Sequence, residues 1–126
     1  IKTTVISSET AYNLLAPNLM DLKHEEFWIL LLNSANHVIS KHKIAEGIAN
    51  KVLVDIKGIA KLAISEMAMG LIICHNHPTG NKKPSQEDRT LTHNIKQALD
   101  LFNIKLLDHI IIAETTYFSF ADDGIL

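Results

Sequence analysis

The sequence predicts an α/β (α+β) domain built as a mixed β-sheet flanked by helices. Apolar runs of strand length, at 27–32, 71–74 and 110–113, alternate with stretches of helical periodicity at 55–69 and 85–102. The implied order, α-β-β-α-β-α-β-β, packs helices on a mixed sheet. A chain of 126 residues supports one such domain with a real core and is too short for two. No repeat, low-complexity segment or linker divides it, so 1–126 reads as a single domain.

Ser7-Ser8-Glu9 ahead of Tyr12, Leu14 and Leu15 predicts an N-capped short helix, stopped at Pro17. Residues 25–33, EEFWILLLN, are apolar on both faces, which suits a central strand. Asn33-Ser34-Ala35-Asn36 supplies a turn, and 37–45 alternates loosely as the second strand of a hairpin, ended by Gly47. Over 55–69, Ile56, Ile59, Ala60, Ala63, Ile64 and Met67 recur at helical spacing, an amphipathic helix against the sheet that Gly70 breaks. A strand follows at 71–75. Pro84 and Ser85 then open a long helix to about Phe102, with Leu91, Ile95, Leu99 and Phe102 as its buried stripe. Extended back one turn, that stripe reaches Asp88. Residues 106–113 form another apolar strand, and 117–120 pair with it across a short turn.

Charge and composition narrow the partners. The net charge is −2, Arg89 is the only arginine, and Lys82-Lys83 is the one adjacent pair among scattered lysines. A reader of duplex nucleic acid needs a basic face with arginines for phosphates and guanine edges, so weak or no direct nucleic-acid binding is expected of this domain alone. No stretch approaches the ~18 apolar residues of a membrane helix, and no secretory leader is read. The single cysteine, Cys74, excludes an internal disulfide and fits a reducing, cytoplasmic compartment.

The chemistry concentrates in 71–92, LIICHNHPTGNKKPSQEDRTLT. Residues two apart on a strand share a face, so His75 and His77 project side by side. Asp88 falls in the first turn of the following helix. Two imidazoles and a carboxylate at the mouth of a buried strand make a three-ligand zinc set with the fourth position open to water. Ser85-x-x-Asp88 has a plainer reading as a capping box, which accounts for both residues. Against that, Asp88 continues the apolar stripe, and a carboxylate facing a core needs a partner. The histidine pair is at hand.

Cys74 points to the opposite strand face and reads as a small core residue. His24, His37, His42 and His93 lack metal spacing and read as surface histidines. His109, in Asp108-His109 ahead of an isoleucine run, reads either as a support for the site or as an ordinary buried histidine. Lys82-Lys83 reads as a solvated loop. A zinc deaminase requires His-x-Glu and a later Pro-Cys-x-x-Cys, but here Asn76-His77 follows His75 and no second cysteine exists. An HNH-type nuclease matches only in the letters His-Asn-His.

The combination is more specific than its parts. His-x-His-Pro, ten intervening residues to Asp88, and a serine three before it resemble the JAMM (MPN+) metalloprotease signature. Within that superfamily, HNHPTG…PS..D…T followed by LLDHIII and YFSFADDG resembles the RadC family, from about Glu25 to the C-terminus. The resemblance implies an MPN/JAB-like fold of the three-layer, cytidine-deaminase-like kind. It implies a Zn2+ cofactor with His75, His77 and Asp88 as metal ligands, and Ser85 as the residue that helps hold a developing oxyanion. It also implies an upstream glutamate as general base, where Glu25 and Glu26 compete. Strand parity leaves both open, because 27, 29, 31 and 28, 30, 32 are equally apolar; similarity to an E-x-F pattern favours Glu25. The implied reaction is hydrolysis of a peptide or isopeptide-linked protein by a zinc-bound water that the glutamate activates.

The competing reading is a non-enzymatic accessory module of DNA repair or recombination, in which zinc is structural or absent. A purely structural zinc site is normally closed by four protein ligands, which favours the hydrolase. Where many RadC-like chains carry a histidine-proline-arginine segment before the central helix, this one has Val54-Asp55-Ile56-Lys57. The helix-hairpin-helix region found ahead of this domain in longer RadC-like proteins is not recognisable in the sequence.

Overall fold

The computed structural model describes residues 3–47 and 53–126. Five strands, β1 (Glu26–Leu32), β2 (Val38–Glu46), β3 (Gly70–Asn76), β4 (Lys105–Ala113) and β5 (Thr116–Ser119), form one mixed sheet in the order β2-β1-β3-β4-β5. Three helices flank it: α1 (Ser8–Leu19), α2 (Ile56–Ser65) and α3 (Gln86–Asp100). All neighbours run antiparallel except β3 and β4. A parallel pair needs a crossover, and α3 provides it. The C-terminal end of central β3 and the start of α3 are therefore joined only by the 77–85 loop.

The sheet is covered on both faces, as the two-sided apolarity of β1 requires. Phe27, Ile29, Leu31, Leu71 and Ile73 pack under Ile59 and Ala63 of α2 and Ile95 and Leu99 of α3. Leu30, Leu32, Ile72, Cys74, Ile110 and Ile112 pack on the other face with Ala11, Leu15 and Leu19 of α1. Cys74 is fully buried there, and burial pushes its thiol pKa well up, with Asp108 adding to the rise. Among the described residues, no helix is long and apolar enough to cross a membrane.

Three helix ends differ from the sequence expectation. Pro17 does not stop α1, which runs on to Leu19. Its missing N–H costs one bond near the helix end, while Leu19, 1% exposed, gains about 1.5–3 kcal/mol from burial. Met67 is not in the buried stripe of α2: the helix ends at Ser65, and Met67 sits at φ 57 and is 82% exposed. The Ala68 N–H reaches back to the Ala63 carbonyl at 2.9 Å, a left-handed helix end that swings Met67 outward and buries Ala68. Ile64, on the flank of the helix, is also exposed. The end of α3 repeats the device, with Asn103 at φ 57 and the Ile104 N–H bonded to the Leu99 carbonyl at 3.1 Å. Ile104 thus takes the buried place expected of Phe102, which is half-exposed.

Candidate metal centre

β3 delivers His75 from the α2/α3 face, and the chain then turns through His77-Pro78-Thr79-Gly80. Gly80 is required in that turn. Its φ is 86, its N–H bonds to the His77 carbonyl at 3.0 Å, and an added Cβ would lie 2.6 Å from Glu114 Oε1. Asn76, facing the other way, accepts the Glu26 N–H at 2.7 Å and donates to the His24 carbonyl at 2.9 Å, which fastens the end of β3 to the start of β1.

Asp88 comes from the first turn of α3. Ser85 Oγ accepts the Asp88 N–H at 3.1 Å and Asp88 Oδ2 accepts the Ser85 N–H at 2.8 Å, a complete capping box. The same carboxylate faces the histidines, with Oδ1 3.2 Å from His75 Nε2 and Oδ2 3.2 Å from His77 Nε2. The two Nε2 atoms are 3.0 Å apart. Capping and facing the histidines are therefore one arrangement, and the sequence alternatives do not exclude each other.

Both rings are held from behind. His77 Nδ1 lies 2.6 Å from the Asn81 carbonyl oxygen, which can only accept, so that nitrogen carries the proton. His75 Nδ1 lies 2.8 Å from Nε2 of the fully buried His109, whose ring stacks on Phe120 at 4.5 Å. His109 Nδ1 in turn meets Thr92 Oγ1 at 2.5 Å, and Thr92 donates to the Asp88 carbonyl at 2.7 Å. Among the described residues, no buried side-chain nitrogen or oxygen lacks a partner.

The two glutamates separate by strand face. Phe27 pairs with His75 and Trp28 with Cys74, so Glu25 shares the His75 side and Glu26 the other. The Glu25 carboxylate lies within 4.8 Å of the ring nitrogens of both His75 and His77. Glu26 instead accepts from Trp28 Nε1 at 2.9 Å and pairs with His24 Nε2 at 2.8 Å, beside Glu46. His24, expected as a plain surface residue, is half-buried in this second group.

Electrostatics follow the geometry. Burial lifts the Glu25 carboxyl above its ordinary value, partly countered by His75 and His77. Burial alone would raise Glu26 too, but hydrogen bonds from Trp28 and His24 outweigh it and hold it lower. Burial likewise opposes ionisation of Asp88, yet the contacts to His75, His77 and the Ser85 N–H hold its carboxyl well below the carboxylate range. Burial would lower His77, but Asp88 and the Asn81 carbonyl raise it. Burial holds His109 well below its ordinary value, so its ring is neutral.

Glu25, His77, Ser85 and Asp88 line one cleft of about 680 Å³, with Lys83 and Glu87 at its rim. Ser85 itself is exposed. Thr92, which closes the PS..D…T motif, and Asn81 are the supporting residues to which the sequence assigned no role. Thr92 carried a signal, since it stands one turn after Asp88 on the same helix face. The Asn81 contribution is a backbone carbonyl, which no side-chain pattern reveals.

The five-stranded mixed sheet with helices on both faces, and the histidines at the end of its central strand, define a JAB/MPN-like α+β domain. Residues 5–125 match the RadC-like JAB domain, and the chain belongs to the RadC family. It is 46% identical over 121 residues to a UPF0758 protein of Flavobacterium johnsoniae, covering 96% of this chain and 53% of that protein. A UPF0758 protein of Porphyromonas gingivalis is 38% identical over 126 residues, covering 99% and 56% respectively. One from Staphylococcus haemolyticus is 36% identical over 123 residues, covering 98% and 54%. The chain thus spans about half the length of these relatives.

Proposed function

We propose that this domain is a zinc-dependent metallopeptidase- or isopeptidase-like hydrolase of the JAMM/RadC type. In this reading His75, His77 and Asp88 hold the metal, Glu25 is the general base and Ser85 stabilises the oxyanion. The strongest support is the spacing of the donor atoms, 3.0 Å between the two Nε2 atoms, with Asp88 Oδ1 3.2 Å from that of His75 and Oδ2 3.2 Å from that of His77. Donors bound at about 2.0–2.1 Å around a tetrahedral zinc stand about 3.3 Å apart, so this set fits that ion. A zinc ion held there supplies a Lewis acid and a water acidified toward neutrality.

The protein groups divide the remaining work. Glu25, its carboxyl lifted by burial, takes a proton from water in the cleft and returns it to the leaving amine. Ser85 Oγ uses a lone pair for the Asp88 N–H, which leaves its own proton free to donate to an oxygen gaining negative charge. The open cleft suits a peptide or isopeptide-linked protein segment.

The test is metal content per chain by elemental mass spectrometry in the unmodified protein, His77→Ala and Asp88→Ala. The expected result is about one zinc per chain, lost in both variants while circular dichroism reports an intact fold. A protein that stays metal-free after incubation with zinc overturns the hydrolase and leaves the DNA-repair accessory module as the reading to pursue.

A further inference from the structure

We infer that His109, itself held by Thr92, is the positioning residue that sets the tautomer of His75 and aims its Nε2 lone pair at the metal. This inference rests on the metal-centre reading above and assigns a role outside the ligand set. A neutral imidazole carries one proton, so a ring that offers Nε2 to a cation must keep its proton on Nδ1. The atom facing His75 Nδ1 is His109 Nε2 at 2.8 Å. It must therefore accept, which moves the His109 proton to Nδ1 and against Thr92 Oγ1 at 2.5 Å. Thr92 then accepts from His109 and gives its own proton to the Asp88 carbonyl at 2.7 Å. Each gap holds one proton and no group is left unpaired.

The run has three further properties that suit it to positioning. His109 is fully buried and Thr92 only 3% exposed, so no solvent water can replace a missing partner. Stacking on Phe120 at 4.5 Å and an edge contact with Phe27 at 6.2 Å stop the His109 ring from turning. The run also begins at the His75 side chain and ends on the backbone of Asp88, so it ties two of the three metal-holding residues to one another through the core.

The experiment compares zinc affinity, by competition with a chelator, in the unmodified protein, His109→Phe, His109→Gln and Thr92→Val. Long-range proton–nitrogen NMR of the histidine rings is recorded in the zinc-loaded unmodified protein. The expected result is a zinc affinity lower by roughly 10–100-fold in His109→Phe, partly restored in His109→Gln, whose amide oxygen can accept from His75. The NMR spectrum places the protons of both His75 and His109 on Nδ1. A folded His109→Phe that binds zinc as tightly as the unmodified protein overturns the inference alone, as does a His109 proton found on Nε2. An unmodified protein that takes up no zinc overturns the metal-centre reading and this inference with it. The NMR arm needs no variant, so a His109→Phe that fails to fold leaves the question decidable.

Discussion

At the scale of single residues, the Asp88 carboxylate accepts the Ser85 N–H at 2.8 Å and faces two imidazoles at 3.2 Å. In the zinc-free protein this gives a pH signature. Asp88, depressed on folding, contributes stability that is fully present above its unfolded value of 3.8 and lost as pH falls through the folded one. His77, raised on folding, contributes stability fully present below 6.5 and lost as pH rises through its folded value. The pair is therefore worth most between those limits. Urea unfolding of zinc-free Asp88→Asn should show a deficit of roughly 1–3 kcal/mol near pH 5, shrinking as pH rises through the raised folded value of His77.

The two adjacent glutamates make a second residue-scale prediction. Glu25→Gln should keep its zinc and its fold, yet lose peptide or isopeptide cleavage by roughly 100-fold or more. Glu26→Gln should disturb the Trp28 and His24 contacts and lower stability, with zinc content unchanged. Metal analysis beside a cleavage assay separates the two.

At the scale of elements, the start of α3 carries both its own cap and the candidate chemistry. Ser85→Ala should cost about 1 kcal/mol of stability in denaturant unfolding, whereas Ser85→Gly should cost only a few tenths, because glycine is an acceptable N-cap. Both remove the hydroxyl. Equal loss of cleavage in the two variants assigns the effect to the hydroxyl; a loss that tracks stability assigns it to the cap. The placement of α3 and of the 85–88 box was legible in the sequence because capping is local. The ends of α2 and α3 were not, because both close through left-handed residues that are not glycine, Met67 and Asn103. Periodicity cannot foresee a chain reversal chosen by which later residue, Ala68 or Ile104, the core accepts.

At the scale of the molecule, the two-faced sheet makes stability depend on its middle layer. Ile73, fully buried beneath α2 and α3, should lose roughly 2–5 kcal/mol as Ile73→Ala in equilibrium unfolding. Leu101→Ala, at a residue 80% exposed, should change stability by less than about 0.5 kcal/mol. The contrast tests the three-layer core directly.

The sequence by itself determined the element order, the mixed sheet, and the face shared by His75 and His77, since these follow from local periodicity and turn chemistry. It could not decide between Glu25 and Glu26, because a strand apolar on both sides carries no parity signal. Only the pairing of Phe27 with His75 assigns Glu25 to the histidine face. Nor could it place His109. Leu71 pairs with Leu106 and Ile72 with Asp108, so Leu107 is an extra residue in β4. Without that bulge the strand would turn every later side chain to the opposite face, and His109 would lie beside Cys74. Register between strands distant in sequence is a property of packing, and it is the tertiary structure that brings Thr92, His109 and His75 into one hydrogen-bonded run.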